Sequence, residues 1–213
     1  MFCPQCRVEF VGWWKKCPDC SVFLVDHVPP EIQSTEKTMT YENLVELVNK
    51  NNGRMSIDVT STGVERQHQR RFPFLGYGYA WSKRFQGSSN GIWVDLKTIE
   101  TSRQKKWTFP YFGFGFAWEK KIQGTIMGIE LTLTARKVSR KRRWDFPWLG
   151  YGYAWTEEMT GECGAELVAK LTVKRIIKKR SWGFPFFGFG YAWPRNAYLE
   201  IINIVDNPSN LDR

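Results

Sequence analysis

The sequence predicts a mainly β chain: four tandem β-hairpin repeats forming an antiparallel barrel or curled sheet, one short helix ahead of them, and a small cysteine-bearing segment at the start. The first observation behind this is a ten-residue phrase that occurs four times. It reads Phe72-Pro-Phe-Leu-Gly-Tyr-Gly-Tyr-Ala-Trp81 and returns at 109–118, 146–155 and 184–193, with spacings of 37, 37 and 38. A fixed period of that size marks a repeat architecture, in which one copy alone cannot bury its apolar face. The second observation is alternation within the phrase. Tyr77, Tyr79 and Trp81 fall on one side of an extended chain, and Gly76, Gly78 and Ala80 on the other.

A length of 213 residues allows one or two domains with a real core. A composition 42% hydrophobic and 16% aromatic, with 11 Trp, excludes a disordered chain. The formal net charge is +10, and residues 54–213 hold 26 basic against 14 acidic groups, so the repeats carry all of the excess. Such a charge attracts polyanions and anionic membranes and says nothing about fold. No basic-then-apolar leader opens the chain and no run approaches 18 apolar residues, which predicts a cytoplasmic protein without a transmembrane helix.

Taken in order, residues 1–27 hold Cys3-Pro-Gln-Cys6 and, ten residues on, Cys17-Pro-Asp-Cys20. Each pair is a tight turn able to aim two thiolates at one ion, and two pairs complete the tetrahedral shell that zinc prefers. The competing reading is two disulfides or free thiols, which a leaderless chain disfavours. This segment, over residues 2–25, resembles the short double-knuckle zinc ribbons at the ends of many bacterial and archaeal proteins. It departs from them in carrying Arg7 and Ser21 where Gly is usual. With Cys3, Cys6, Cys17 and Cys20 all ligating, the Zn2+ would be structural, with no open position for catalysis. Phe10, Trp13 and Trp14 are placed either to cover that site or to meet a partner.

Residues 28–39, with Pro29-Pro30, read as a linker. A helix is predicted at 41–50 within a 40–53 segment: Thr40 is its N-cap, Leu44, Leu47 and Val48 form one stripe, and Asn51-Asn52-Gly53 stops it. It is expected to cap the open end of the repeat domain, residues 54–213, whose copies lie near 54–87, 91–124, 128–161 and 164–205. In each copy the first half changes apolar parity midway, from Ile92, Val94 and Leu96 to Ile99, Trp107 and Phe109 in the second. A side-chain period of two forbids this without a bulge or bend. A run of hairpins closing into a barrel is favoured over propeller blades, which need about 40–45 residues each. Leu199 to Val205 is expected to open a fifth strand that closes against the first copy. Glycines in register across the phrases call for close approach by another backbone or a bulky side chain.

Just past each bend lies a basic run: Arg66, Arg70 and Arg71; Arg103, Lys105 and Lys106; Arg140, Lys141, Arg142 and Arg143; and Lys174, Arg175, Lys178, Lys179 and Arg180. Consecutive charges point to both faces of a ribbon and cannot lie between core layers unpaired, so these segments should project. Trp107, Trp144 and Trp182 would stand beside them as an aromatic rim. Three readings compete: solvated edges that discourage aggregation, a nucleic-acid surface of phosphate contacts and stacked bases, and peripheral docking on an anionic membrane. Nucleic acid or another polyanion is the first choice, with self-association or a protein partner also open. Catalysis is not expected. His27 and His68 stand in no constellation, Cys163 sits alone at a turn, and Gly-x-Gly opens no helix.

Overall fold

The computed structural model describes residues 15–16, 23–25, 40–71, 75–108, 112–145, 149–183 and 187–204. The chain divides into two units, Met1–Thr38 and Met39–Arg213. In the first, Lys16 and Phe23 form an isolated antiparallel bridge. Leu24 N donates to Lys15 O at 3.0 Å, and Lys16 Nζ stands 4.6 Å over the Phe23 ring. The four paired cysteines, Phe10, Trp13 and Trp14 lie outside the described residues.

In the second unit α1 (Tyr41–Lys50) starts where Thr40 accepts a bond from Asn43 N at 3.4 Å. It ends at Asn52 and Gly53, which take the left-handed φ values of 60° and 71°. Leu44 and Val48 are fully buried in the main apolar cluster, with Tyr41, Val45 and Leu47 packed against it. Burying two such side chains contributes about 1.5–3 kcal/mol each. Tyr41 Oη accepts from Glu166 N, and Asn203 Nδ2 donates to Asn49 Oδ1, both at 2.8 Å. The helix thus lies across the barrel end that carries the tight turns.

Eight strands follow: β1 (Arg54–Arg71), β2 (Leu75–Ser89), β3 (Ile92–Thr108), β4 (Phe112–Ile126), β5 (Ile129–Asp145), β6 (Leu149–Cys163), β7 (Leu167–Gly183) and β8 (Phe187–Asn203). They form a closed antiparallel barrel in sequence order, β8 pairing with β1. Barrel closure, rather than a curled sheet or blades, is the architecture adopted. The tight turns obey local chemistry: Asn90 and Gly91, both at positive φ, join β2 to β3, the combination a two-residue hairpin turn demands.

Two levels divide the barrel. Near the helix every strand pairs with both neighbours, and Ile57, Val59, Phe85, Val94, Leu96, Ile122, Leu133, Leu171 and Leu199 fill the interior. Farther along, neighbouring hairpins part: β2 and β3 pair only over 84–89 with 92–97, and β4 and β5 only over 121–126 with 129–134. Within a hairpin the ladder runs on, to Arg71↔Leu75, Thr108↔Phe112, Asp145↔Leu149 and Gly183↔Phe187. Where the levels meet, the register is irregular at Ile99, Arg136 and Lys174, and in the first copy Gly63 takes φ +71°. The parity change in the sequence falls here.

One expectation is corrected. Leu199 to Asn203 belong to β8 itself and open no fifth strand. No turn intervenes after Pro194, so the last strand runs past the irregular level and seals the barrel against Arg54–Thr60 of β1.

Candidate polyanion-binding end

Beyond the irregular level the second strands of the four hairpins face one another: β2 packs on β4, β4 on β6, β6 on β8 and β8 on β2. Each contact sets the ring side of one hairpin against the glycine side of the next. Tyr79 and Trp81 cluster with Ala117, Phe116 and Trp118 with Ala154, and Tyr191 and Trp193 with Ala80. A Cβ on Gly78 would stand 2.7 Å from the Tyr191 ring, and one on Gly152 2.5 Å from the Phe116 ring. The expected reason for those glycines, a bulky side chain brought close, is what these two positions show.

One cation of each basic run enters this arrangement. Arg66, Arg103, Arg140 and Lys178 sit opposite Ala80, Ala117, Ala154 and Ala192 in the ladders. Each lies over a ring of the preceding copy: Arg66 is 4.9 Å from Trp193, Arg103 5.0 Å from Trp81, Arg140 4.7 Å from Trp118, and Lys178 5.8 Å from Tyr153. Arg140 Nη1 also donates to Gln104 Oε1 at 2.6 Å, and Arg103 Nη1 to Gln67 Oε1. These cations therefore join hairpin to hairpin, each stacked contact being worth about 0.5–1 kcal/mol at an exposed site.

The rest of each run continues outward. Lys105, Lys141, Arg142 and Arg180 are exposed and Lys179 is half-buried. The backbones of Arg70, Arg71, Lys106 and Arg143 occupy the last ladder rungs, opposite Gly76, Leu75, Phe114 and Tyr151; their side chains lie outside the described residues. So do those of Trp107, Trp144 and Trp182, whose backbones pair with Gly113, Gly150 and Gly188. The distal stretches 66–80, 103–117, 140–154 and 178–192 hold thirteen basic residues and one acidic residue, Asp145. The remainder of 54–213 holds thirteen of each. The whole excess of +12 thus sits on one end of the barrel.

At the other end cations and carboxylates meet in pairs. Arg54 meets Glu200, Arg84 meets Asp95, Lys120 meets Glu100, Lys170 meets Glu158 and Lys174 meets Asp58. Glu157, the acidic residue in an otherwise basic repeat position, accepts from Ser139 Oγ and pairs with Lys137 at 3.1 Å. Those bonds, the one from Ser139 foremost, hold its carboxyl below the ordinary range.

Sequence reasoning missed a polar layer between the two levels. The residue after each phrase, Ser82, Glu119, Thr156 and Pro194, is buried in all four copies. Ser82 N donates to Glu119 Oε1 at 2.7 Å, Ser82 Oγ to Pro194 O at 3.3 Å, and Thr156 Oγ1 to Glu119 O at 2.5 Å. Burial pushes the Glu119 carboxyl above its usual value, and hydrogen bonds, chiefly from Ser82 N, offset part of that. The signal was available, since these four residues share one repeat position. Burial likewise raises Cys163 and Tyr191.

Among the described residues no group of metal-ligating side chains converges, and no helix is long and apolar enough to cross a membrane. No family model, curated protein or solved structure matches the chain.

Proposed function

We propose that this chain is a non-enzymatic binding protein that engages a polyanion through the distal halves of its four hairpins. The observation that carries the reading is the lengthwise segregation of charge: +12 over the distal stretches, and near-balanced charge with cation–carboxylate pairs over the rest of the barrel. Solvated edges kept charged against aggregation need no such sorting. Lys105, Lys141, Arg142, Lys179 and Arg180 are the groups offered to the ligand, while Arg66, Arg103, Arg140 and Lys178 hold the hairpins that present them.

Nucleic acid answers the description through its phosphates. Base stacking draws no support from the described rings, because Trp81, Trp118, Trp155 and Trp193 are buried between hairpins. Phosphate contacts would carry such binding, without sequence preference. Cys3, Cys6, Cys17 and Cys20 are proposed, on the resemblance, to hold a structural Zn2+.

The test is affinity for double- and single-stranded DNA, RNA and heparin as a function of salt. Contacts to Z phosphates give a log–log slope of roughly −0.7Z to −0.9Z. Failure to bind any of these, or anionic vesicles, at low salt would remove the reading.

A further inference from the structure

We infer that the gap between the third and fourth hairpins is a binding site for one phosphate group, held by Lys141, Lys178 and Arg180. The inference rests on the polyanion reading and says where a phosphate is gripped. It starts from a difference among the four junctions between hairpins. At the first two, a neutral amide of one hairpin answers the cation of the next. Gln67 lies opposite Tyr79 and accepts from Arg103; Gln104 lies opposite Phe116 and accepts from Arg140. The same rung of the third hairpin is Lys141, opposite Tyr153. The fourth hairpin meets it with Lys178, whose Nζ stands 5.8 Å over that same Tyr153 ring. Two ammonium groups around one ring thus replace an amide–guanidinium bond.

Like charges so placed repel. Arg180, opposite Gly190 and two residues along from Lys178, shares the face of Lys178 and adds a third cation to the gap. Lys141, Lys178 and Arg180 are all exposed. Glu157, on the third hairpin, is held by Ser139 Oγ and by Lys137 Nζ at 3.1 Å, and Lys141 acts on it more weakly than either. A phosphate entering from solvent turns the repulsion into attraction. Its oxygens accept from both ammonium groups and from the guanidinium fork in charge-assisted bonds.

This junction also leaves its ring open. Tyr79, Phe116 and Tyr191 are buried, whereas Tyr153 at the equivalent position is half-buried. A lysine recurs at the fourth junction, where Lys179 lies opposite Tyr191, but there the His68 ring stands 6.2 Å from the tyrosine. Lys178 differs from its counterparts as well. Arg66, Arg103 and Arg140 lie over the tryptophan that ends the phrase, and Lys178 lies over the tyrosine two residues before it. Its charge is therefore carried towards Lys141 and away from the buried Trp155.

The experiment is thermal melting of the full chain in potassium phosphate against potassium chloride at equal ionic strength and neutral pH, beside DNA and heparin binding against salt. Phosphate is expected to raise the melting temperature by binding the folded chain. Lys141→Gln restores the residue type of the first two junctions. It should lower the apparent phosphate affinity about tenfold and melt higher than the parent in chloride, where the repulsion is gone. General stabilisation by phosphate acts on every variant alike, and Lys120→Gln, at the charge-balanced level, should respond as the parent does. A single-stranded oligonucleotide with and without a 5′-phosphate tells a terminal phosphate from a backbone one; either is expected to bind less tightly to Lys141→Gln. An equal phosphate response in the parent and Lys141→Gln would overturn the site, and salt-dependent DNA binding beside it would leave the polyanion reading standing. No response to phosphate, DNA or heparin would remove both.

Discussion

The amide of Ser82 donates to Glu119 Oε1 across 2.7 Å, tying the first hairpin to a carboxyl that is only 1% exposed in the second. Among the described residues the groups bonded around it are Ser82, Thr156, Pro194 and Ser61, none of them a cation. The folded chain holds the Glu119 proton above the ordinary value near 4.5, where the unfolded chain has already lost it. Stability from this group is complete at acid pH and falls as pH rises through that window. Glu119→Gln should therefore raise stability at neutral pH by on the order of 1–3 kcal/mol, and the gain should vanish below the unfolded value. Denaturant titrations of both proteins across pH measure it.

Gly152→Ala places a methyl against the Phe116 ring and is expected to cost about 1–3 kcal/mol. Combining it with Phe116→Leu should recover part of the loss, since the smaller side chain makes room. A double-mutant cycle read by thermal melting checks the coupling. Additive effects would mean the two hairpins do not meet there.

Arg140 and Arg142 stand two residues apart in one basic run with different work. Arg140 lies over Trp118 and donates to Gln104, so Arg140→Ala should destabilise by about 0.5–2 kcal/mol. Arg142 is exposed, so Arg142→Ala should leave the melting temperature unchanged and weaken anion binding. Parallel melts and salt titrations separate the two.

Leu44→Ala, which empties a fully buried position beneath α1, should cost about 2–5 kcal/mol. The milder Tyr41→Phe removes only the hydroxyl that accepts from Glu166 N and should cost about 1 kcal/mol. Equal losses from both would show that the helix is held by its polar anchor and not by its apolar face.

Metal analysis tests the first unit. The expected content is one zinc per chain, lowered by Cys3→Ser or Cys17→Ser and released by a chelator. The barrel, a separate unit, should keep its melting temperature.

The sequence by itself determined the period, the strands, the capping helix from Thr40 to Gly53 and the level at which each hairpin changes character. All of these are local: a side-chain period of two, a cap and a turn are written in neighbouring residues. It also located the basic runs, though not their division of labour. That Arg103 leans on Trp81 while Lys105 reaches water follows from a neighbouring hairpin 37 residues away, which no local pattern records. Tertiary structure alone decided that the closing segment is the continuation of β8 and not a separate strand, and that Glu119 is buried. Both depend on which strand ends up beside which once the apolar faces have been removed from water.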